Sequence, residues 1–186
     1  MSERRTLKIL QYNVNHGKEA TLIPLLQDTE IRDFDILAVQ EPWRNPYIHT
    51  GYNPSSSNFY LVYPALPGTR VCFYINKRLH PDSWSVTSQY EDLLSIAVRI
   101  KQGERVREIR IHNVYNPSPQ SYTAVIEGTL TLLRETLRGD ADDHVVIGDF
   151  NLHHPFWSGL ARPTQHAAAD ILLEIARESS LELVTP

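Results

Sequence analysis

The stretch Val145-Val146-Ile147-Gly148-Asp149-Phe150-Asn151-Leu152 decides how the chain reads, because a short apolar run ends in glycine and then presents a carboxylate and an amide. A brief apolar run bounded by turn residues reads as a buried strand, which puts Asp149 and Asn151 at a strand's end. Working outward, two other runs close in the same way. Leu7 to Leu10 leads to Asn13, and Ile36 to Val39 leads to Glu41. Isolated buried charges are costly. Strand ends that carry Asn, Glu and Asp-x-Asn therefore predict groups converging on a metal or a phosphate, with loop capping as the plainer alternative.

At 186 residues the chain suits one domain with a substantial core, and it shows neither repeat nor linker. A formal charge of −4 argues against holding nucleic acid by bulk electrostatics, which needs clustered Lys and Arg. It leaves room for a hydrolytic site, where acidic residues gather around a cation that reverses the local field. No stretch approaches the ~18 apolar residues of a membrane span. The start, Met1-Ser2-Glu3-Arg4-Arg5, lacks the apolar core of a secretory signal, so an intracellular protein is the expectation. Cys72 lies in Val71-Cys72-Phe73-Tyr74-Ile75 and reads as a small buried hydrophobe, with no disulfide framework and no thiol nucleophile.

Along the chain, strands are predicted at Leu7 to Tyr12, Ile36 to Gln40, Phe59 to Tyr63, Arg70 to Asn76 and Trp84 to Thr87. Strict alternation of Leu94, Ile96, Val98 and Ile100 predicts a strand with one buried face. A turn at Lys101 to Glu104 joins it to Val106 to Val114 as an antiparallel hairpin. Helical spacing is present over Thr21 to Gln27, from about Ser121 (Ile126, Leu130, Leu133, Leu137, with Gly139 as C-terminal cap), and from Thr164 to Ser180. The Pro-, Asn-, Ser- and Gly-rich segment Pro42 to Ser57 is a long surface loop holding Trp43, Arg44 and Tyr47. Leu181 to Val184 predicts one more strand, so a chain that stops there is expected to be an incomplete domain with an unpaired sheet edge. Hairpins mixed with helical crossovers give an α/β class, two packed sheets covered outside by helices.

The motifs Gln11-Tyr12-Asn13-Val14-Asn15, Gln40-Glu41-Pro42-Trp43, Asn113-Val114-Tyr115-Asn116-Pro117 and Gly148-Asp149-Phe150-Asn151 appear in one order, each at a predicted strand end. In that order the chain resembles the endonuclease/exonuclease/phosphatase superfamily over nearly its whole length. Pro42-Trp43 and His153-His154-Pro155-Phe156-Trp157 resemble the endonuclease domain of LINE-type, non-LTR retrotransposons. The resemblance implies a deoxyribonuclease I-like, four-layer α/β/β/α sandwich with its last strands missing, and a DNA endonuclease that nicks target DNA, with a nuclear role.

The chemistry constrains the residues as well. Cleaving a phosphodiester needs an in-line nucleophile, charge neutralisation at phosphate and help for the leaving oxygen. Mg2+, with Mn2+ as the alternative, is a hard cation that takes one or two carboxylates plus water and phosphate. Glu41 fits as its direct ligand, with Asn13 or Asn15 as supporting neighbours. By resemblance Asp149 orients or deprotonates water, Asn151 hydrogen-bonds phosphate or that water, and Tyr115 donates to phosphate or supports the site. Tyr115 also reads as a core aromatic with a surface hydroxyl, and Asn116 as a turn-former.

Trp43, Arg44, His153 and Trp157 lie on loops beside the motifs and read either as DNA contacts or as loop packing. Adjacent His153 and His154 lack the regular third ligand of a zinc site, and His112 reads as a structural hydrogen-bonding group. The superfamily's terminal Ser-Asp-His motif has no counterpart after Leu183-Val184-Thr185-Pro186. A catalytically silent fragment and a phosphatase of the same superfamily are therefore the competing functions.

Overall fold

A computed structural model describes residues 6–117, 124–158 and 167–184. Its α/β architecture is built on two four-stranded sheets, one of order β1-β2-β4-β3 and the other of order β5-β6-β7-β8. The first comprises β1 (Ile9–Asn13), β2 (Ile36–Gln40), β3 (Phe59–Val62) and β4 (Val71–Asn76). The second comprises β5 (Trp84–Gln89), β6 (Leu93–Gln102), β7 (Arg105–Tyr115) and β8 (Asp143–Asp149). Each sheet carries one parallel pair, β1 with β2 and β7 with β8, while its other pairs are antiparallel.

The β2 run Ile36-Leu37-Ala38-Val39-Gln40 is buried throughout because both its faces are covered. Ile36 and Ala38 join Val71, Phe73 and Ile75 and meet Leu94, Ile96, Val98 and Ile111 of the second sheet, forming the core between the sheets. Leu37 and Val39, pointing the other way, pack with Cys72, Tyr74, Leu22 and Ile31 in a second core on the outer face of the first sheet. The segment Lys18–Leu22, a π-helical turn, runs into helix α1 (Ile23–Gln27), with Pro24 in the first turn of α1. At 0% exposure, the Cys72 thiol is pushed far above its ordinary value by burial, as expected of an inert core residue.

The chain divides into two compact units, Met1–Tyr115 with Ala141–Asp149, and Asn116–Asp140 with Phe150–Pro186. Both sheets belong to the first. In the second, α2 (Ala124–Leu137) buries Leu130, Leu133 and Leu137, the short helix α3 spans Pro155–Ser158, and α4 (Ala167–Glu178) buries Ala169 and Ile175. Arg134 of α2 ties α4 through Glu174 and Glu178, both at 3.0 Å. The expected helix starts at Ser121 and Thr164, and the Ile126 side chain, lie outside the described residues. Among the described residues no helix is long and apolar enough to cross a membrane.

The structure corrects some expectations. β6 is buried on both faces from Leu93 to Val98. Its alternation in sequence reflects small Ser95 and Ala97 at the intervening positions, with Ser95 bonded to buried His112. Gly139 is no left-handed cap. The end of α2 closes instead with tight bonds from Arg138 N–H to the Glu135 carbonyl and Gly139 N–H to the Thr136 carbonyl. Leu181 to Val184 forms no strand. Ser180 takes the left-handed conformation (φ 53°), and Leu181 N–H bonds back to the Ala176 carbonyl, so the chain there is consumed in capping α4.

Candidate active site

Parallel pairing sets strand ends side by side, and both parallel pairs finish on polar residues. In register, Asn13 lies opposite Gln40, the residue before Glu41, and Tyr115 lies opposite Asp149. The last turn of β8 depends on Gly148, whose φ is 152°; a Cβ there would stand 1.9 Å from the Val114 carbonyl oxygen. The glycine of the Gly-Asp-Phe-Asn motif thus lets β8 run tight against β7 and brings Asp149 beside Tyr115.

These ends converge. The Asn13 Nδ2 amide donates to Glu41 Oε2 and to Asp149 Oδ2, each at 2.9 Å. Its oxygen accepts from Asn15 N–H at 2.8 Å, which fixes the ring-like turn after β1 and the direction of the amide. The Tyr115 hydroxyl donates to Glu41 Oε1 at 3.0 Å. His16 Nε2 stands 3.4 Å from the same oxygen. Glu41 itself has φ 47°, and Asn15 and His16 are also left-handed. A non-glycine residue held in that region costs about 1–3 kcal/mol and persists where surrounding bonds over-determine it. Here Glu41 N–H bonds to the Arg70 carbonyl and its own carbonyl accepts from His16 N–H, both at 2.8 Å.

Arg70 also braces Tyr115. Its guanidinium pairs with both oxygens of Asp92 and lies 5.2 Å from the centre of the tyrosine ring. Burial, then the hydrogen bond and charge of Glu41, push the Tyr115 hydroxyl up to about 12, so it remains a protonated donor at neutral pH. Beneath the site an amide chain runs inward from exposed Gln11 to buried Gln40 and Asn113, whose Nδ2 reaches the carbonyls of Val39 (3.1 Å) and Cys72 (2.9 Å). It ties β7 of the second sheet to β2 and β4 of the first, directly below Glu41 and Tyr115.

Asn13, Glu41, Tyr115 and Asp149 are therefore brought together. Asn151 (φ 50°) follows in the second unit, where its Nδ2 donates to the Asn116 carbonyl and Asn116 Nδ2 donates to the Phe150 carbonyl, each at 2.8 Å. Trp43 packs into the outer core with the Lys18 ammonium 4.7 Å over its ring, and Arg44 is exposed. Trp157 Nε1 donates to the Leu152 carbonyl while its ring lies 5.0 Å from that of His154, so both brace their own loop. His153 is half-buried. Reading the sequence missed His16, Arg70 and Asp92; the last two sit outside every motif and are found only once β4 and β6 are placed.

As a cation site, the donor set is chemically apt: two carboxylates share one amide donor, and carboxylate and amide oxygens are what a hard divalent cation takes. Among the described residues no group of three or more His, Cys, Asp or Glu gathers that could hold a metal ion by itself, so a cation here would draw on the Glu41 and Asp149 carboxylates with neutral oxygens beside them.

The architecture matches that of the endonuclease domain of TRAS1, a telomere-specific non-LTR retrotransposon, with TM-score 0.57 at 16% identity, covering 97% of this chain and 74% of that one. It also matches an endonuclease/exonuclease/phosphatase family protein from Leptotrichia buccalis, again with TM-score 0.57 at 16% identity, over 92% of this chain and 73% of that one. This is the fold of the endonuclease/exonuclease/phosphatase superfamily. Its sandwich is seen too in a humanized D. rerio TDP2, with TM-score 0.51 at 12% identity over 87% of this chain and 68% of that one. Residues 109–186 match a family model described as endonuclease-reverse transcriptase. The resemblance is thus borne out in the fold, and residues 109–186 carry it in sequence as well. No curated protein sequence matches the chain significantly.

Proposed function

We propose that the chain is a divalent-metal-dependent phosphodiesterase of the retrotransposon endonuclease type, nicking DNA inside the cell. The observation that carries this reading is the Asn13 amide, which donates at once to Glu41 and Asp149 and so fixes two carboxylates across strands remote in sequence. Glu41 would hold the cation, with Asn13 as the supporting neighbour that aligns it. Bound there, Mg2+ would neutralise charge on the phosphate oxygens. Asp149 orients the attacking water and takes its proton as the bond to phosphorus forms, while the bond from phosphorus to the leaving oxygen breaks and that oxygen takes a proton from solvent water. Tyr115, protonated at neutral pH, supports Glu41 and offers a phenolic donor to the phosphate. Asn151, fixed by Asn116, is the residue proposed to contact the phosphate. The strain at Glu41 supports the same reading, since such conformations gather at functional sites.

Nicking of supercoiled plasmid by the full chain with Mg2+, abolished by EDTA and by Asp149→Asn, is the expected result. A folded chain that hydrolyses small phosphate monoesters and leaves plasmid intact would replace DNA nicking with a phosphatase. A folded chain active on neither would replace catalysis with a silent domain.

A further inference from the structure

The loop that leaves Glu41 folds back on itself and holds an apolar tip in water. Arg44 and Gly51 form an antiparallel bridge at its base, and Asn45 N–H bonds to the Thr50 carbonyl at 2.9 Å. Inside it the Asn45 side-chain oxygen accepts from Tyr47 N–H (2.9 Å) and Ile48 N–H (3.4 Å), while Thr50 N–H bonds to the Ile48 carbonyl (2.8 Å). The base is anchored: Trp43 and Tyr52 pack on the outer core, with the Lys18 ammonium 4.7 and 5.1 Å from their rings. This ordered turn leaves Tyr47 92% and Ile48 59% exposed.

An aromatic and a β-branched residue side by side at a braced tip leave most of their apolar surface in water, and adjacent exposed apolar groups mark a contact surface. Charge chooses the partner. Arg44 at the base is exposed, donates to the Pro67 carbonyl and to His49, and meets no carboxylate among the described residues, so its positive charge is uncompensated. A polyanion that also offers flat apolar faces is a nucleic-acid strand. Six residues of chain reach at most about 20 Å from Glu41, a span of about six nucleotides along a strand.

We infer that this tip is a DNA contact in which Tyr47 and Ile48 wedge against the bases beside the cleavage point while Arg44 faces the phosphates. It rests on the DNA reading proposed above. Apolar wedges of this kind unstack a base step and bend the duplex, with cationic side chains holding the backbone.

The test is binding of a fluorescent duplex by anisotropy in EDTA, where nothing is cut, beside Mg2+-dependent hydrolysis of bis(p-nitrophenyl) phosphate, a diester without bases. The Tyr47→Ala/Ile48→Ala variant is expected to bind the duplex roughly tenfold or more weakly, the scale of one lost base stack, and to hydrolyse the small diester like the native chain. Tyr47→Phe, which keeps the ring, should restore most of the binding in that position. Native-strength duplex binding by the double variant would overturn the wedge and leave the nuclease reading standing. A native chain that hydrolyses the diester but does not bind duplex would remove DNA as substrate and the wedge with it.

Discussion

Asn13 is the residue on which the site's geometry turns. One amide nitrogen carries two hydrogens, and here they satisfy two carboxylates that would otherwise repel each other across the strand ends. Asn13→Ala should therefore lower plasmid nicking by about ten- to a hundredfold, the usual effect of losing a group that orients a ligand, with little change in the urea midpoint; unchanged nicking would show that the carboxylates hold themselves. His112 is the opposite case, a titratable group with a structural role. Buried at 0% exposure, it bonds Ser95 through one ring nitrogen and His144 through the other (2.9 Å), and burial first, then the nearby charge of His144, lower its pKa to about 3. The unfolded chain takes up a proton near pH 6.5 that the folded chain refuses. Stability is thus fully present above that pH and falls as pH drops from about 6.5 toward about 3. Urea midpoints at pH 7 and pH 5 should differ more for the native chain than for His112→Gln, and equal differences would show that His112 is not the group responsible.

At the scale of elements, the parallel pairs matter more than the hairpins. The hairpin of β6 and β7 is strong in sequence and stable in the structure, yet it only carries Tyr115 to the right end of the sheet. The contact of β7 with β8 places Asp149, and it tolerates only glycine at position 148. Gly148→Ala must push a methyl against the Val114 carbonyl in a backbone region side chains rarely adopt. It should destabilise the fold by more than about 2 kcal/mol and reduce nicking even at temperatures where the variant stays folded, because Asp149 moves with the strand. A thermal melt matching the native chain would contradict this. The amide chain Gln11, Gln40 and Asn113 is the second cross-element device. Its members are motif residues, so their identity was visible in the sequence, but their role of stapling one sheet to the other was not, because hydrogen-bond partners 73 and 74 positions apart follow from sheet packing alone.

At the scale of the molecule, two carboxylates brought side by side store repulsion that a cation relieves, so binding and stability are linked. Mg2+ at a hundredfold excess over its dissociation constant should raise the melting midpoint by roughly 5–10 °C, and the effect should vanish in a Glu41→Gln/Asp149→Asn variant; a shift that survives the double variant would place the cation elsewhere. Pattern and composition yielded the class of fold, the strands that matter and three of the converging side chains, Asn13, Glu41 and Asp149, and the family resemblance added Tyr115. Period and composition are local properties, and a polar residue closing an apolar strand is conspicuous. The sequence also drew an expectation that packing overruled, a strand at Leu181 to Val184, now spent on capping α4. That Arg70 and Asp92 brace Tyr115, that Glu41 is held in a left-handed conformation and that one amide joins the two acids came from packing across the sheets. Those facts depend on distances between residues far apart in the chain, which no window of sequence contains.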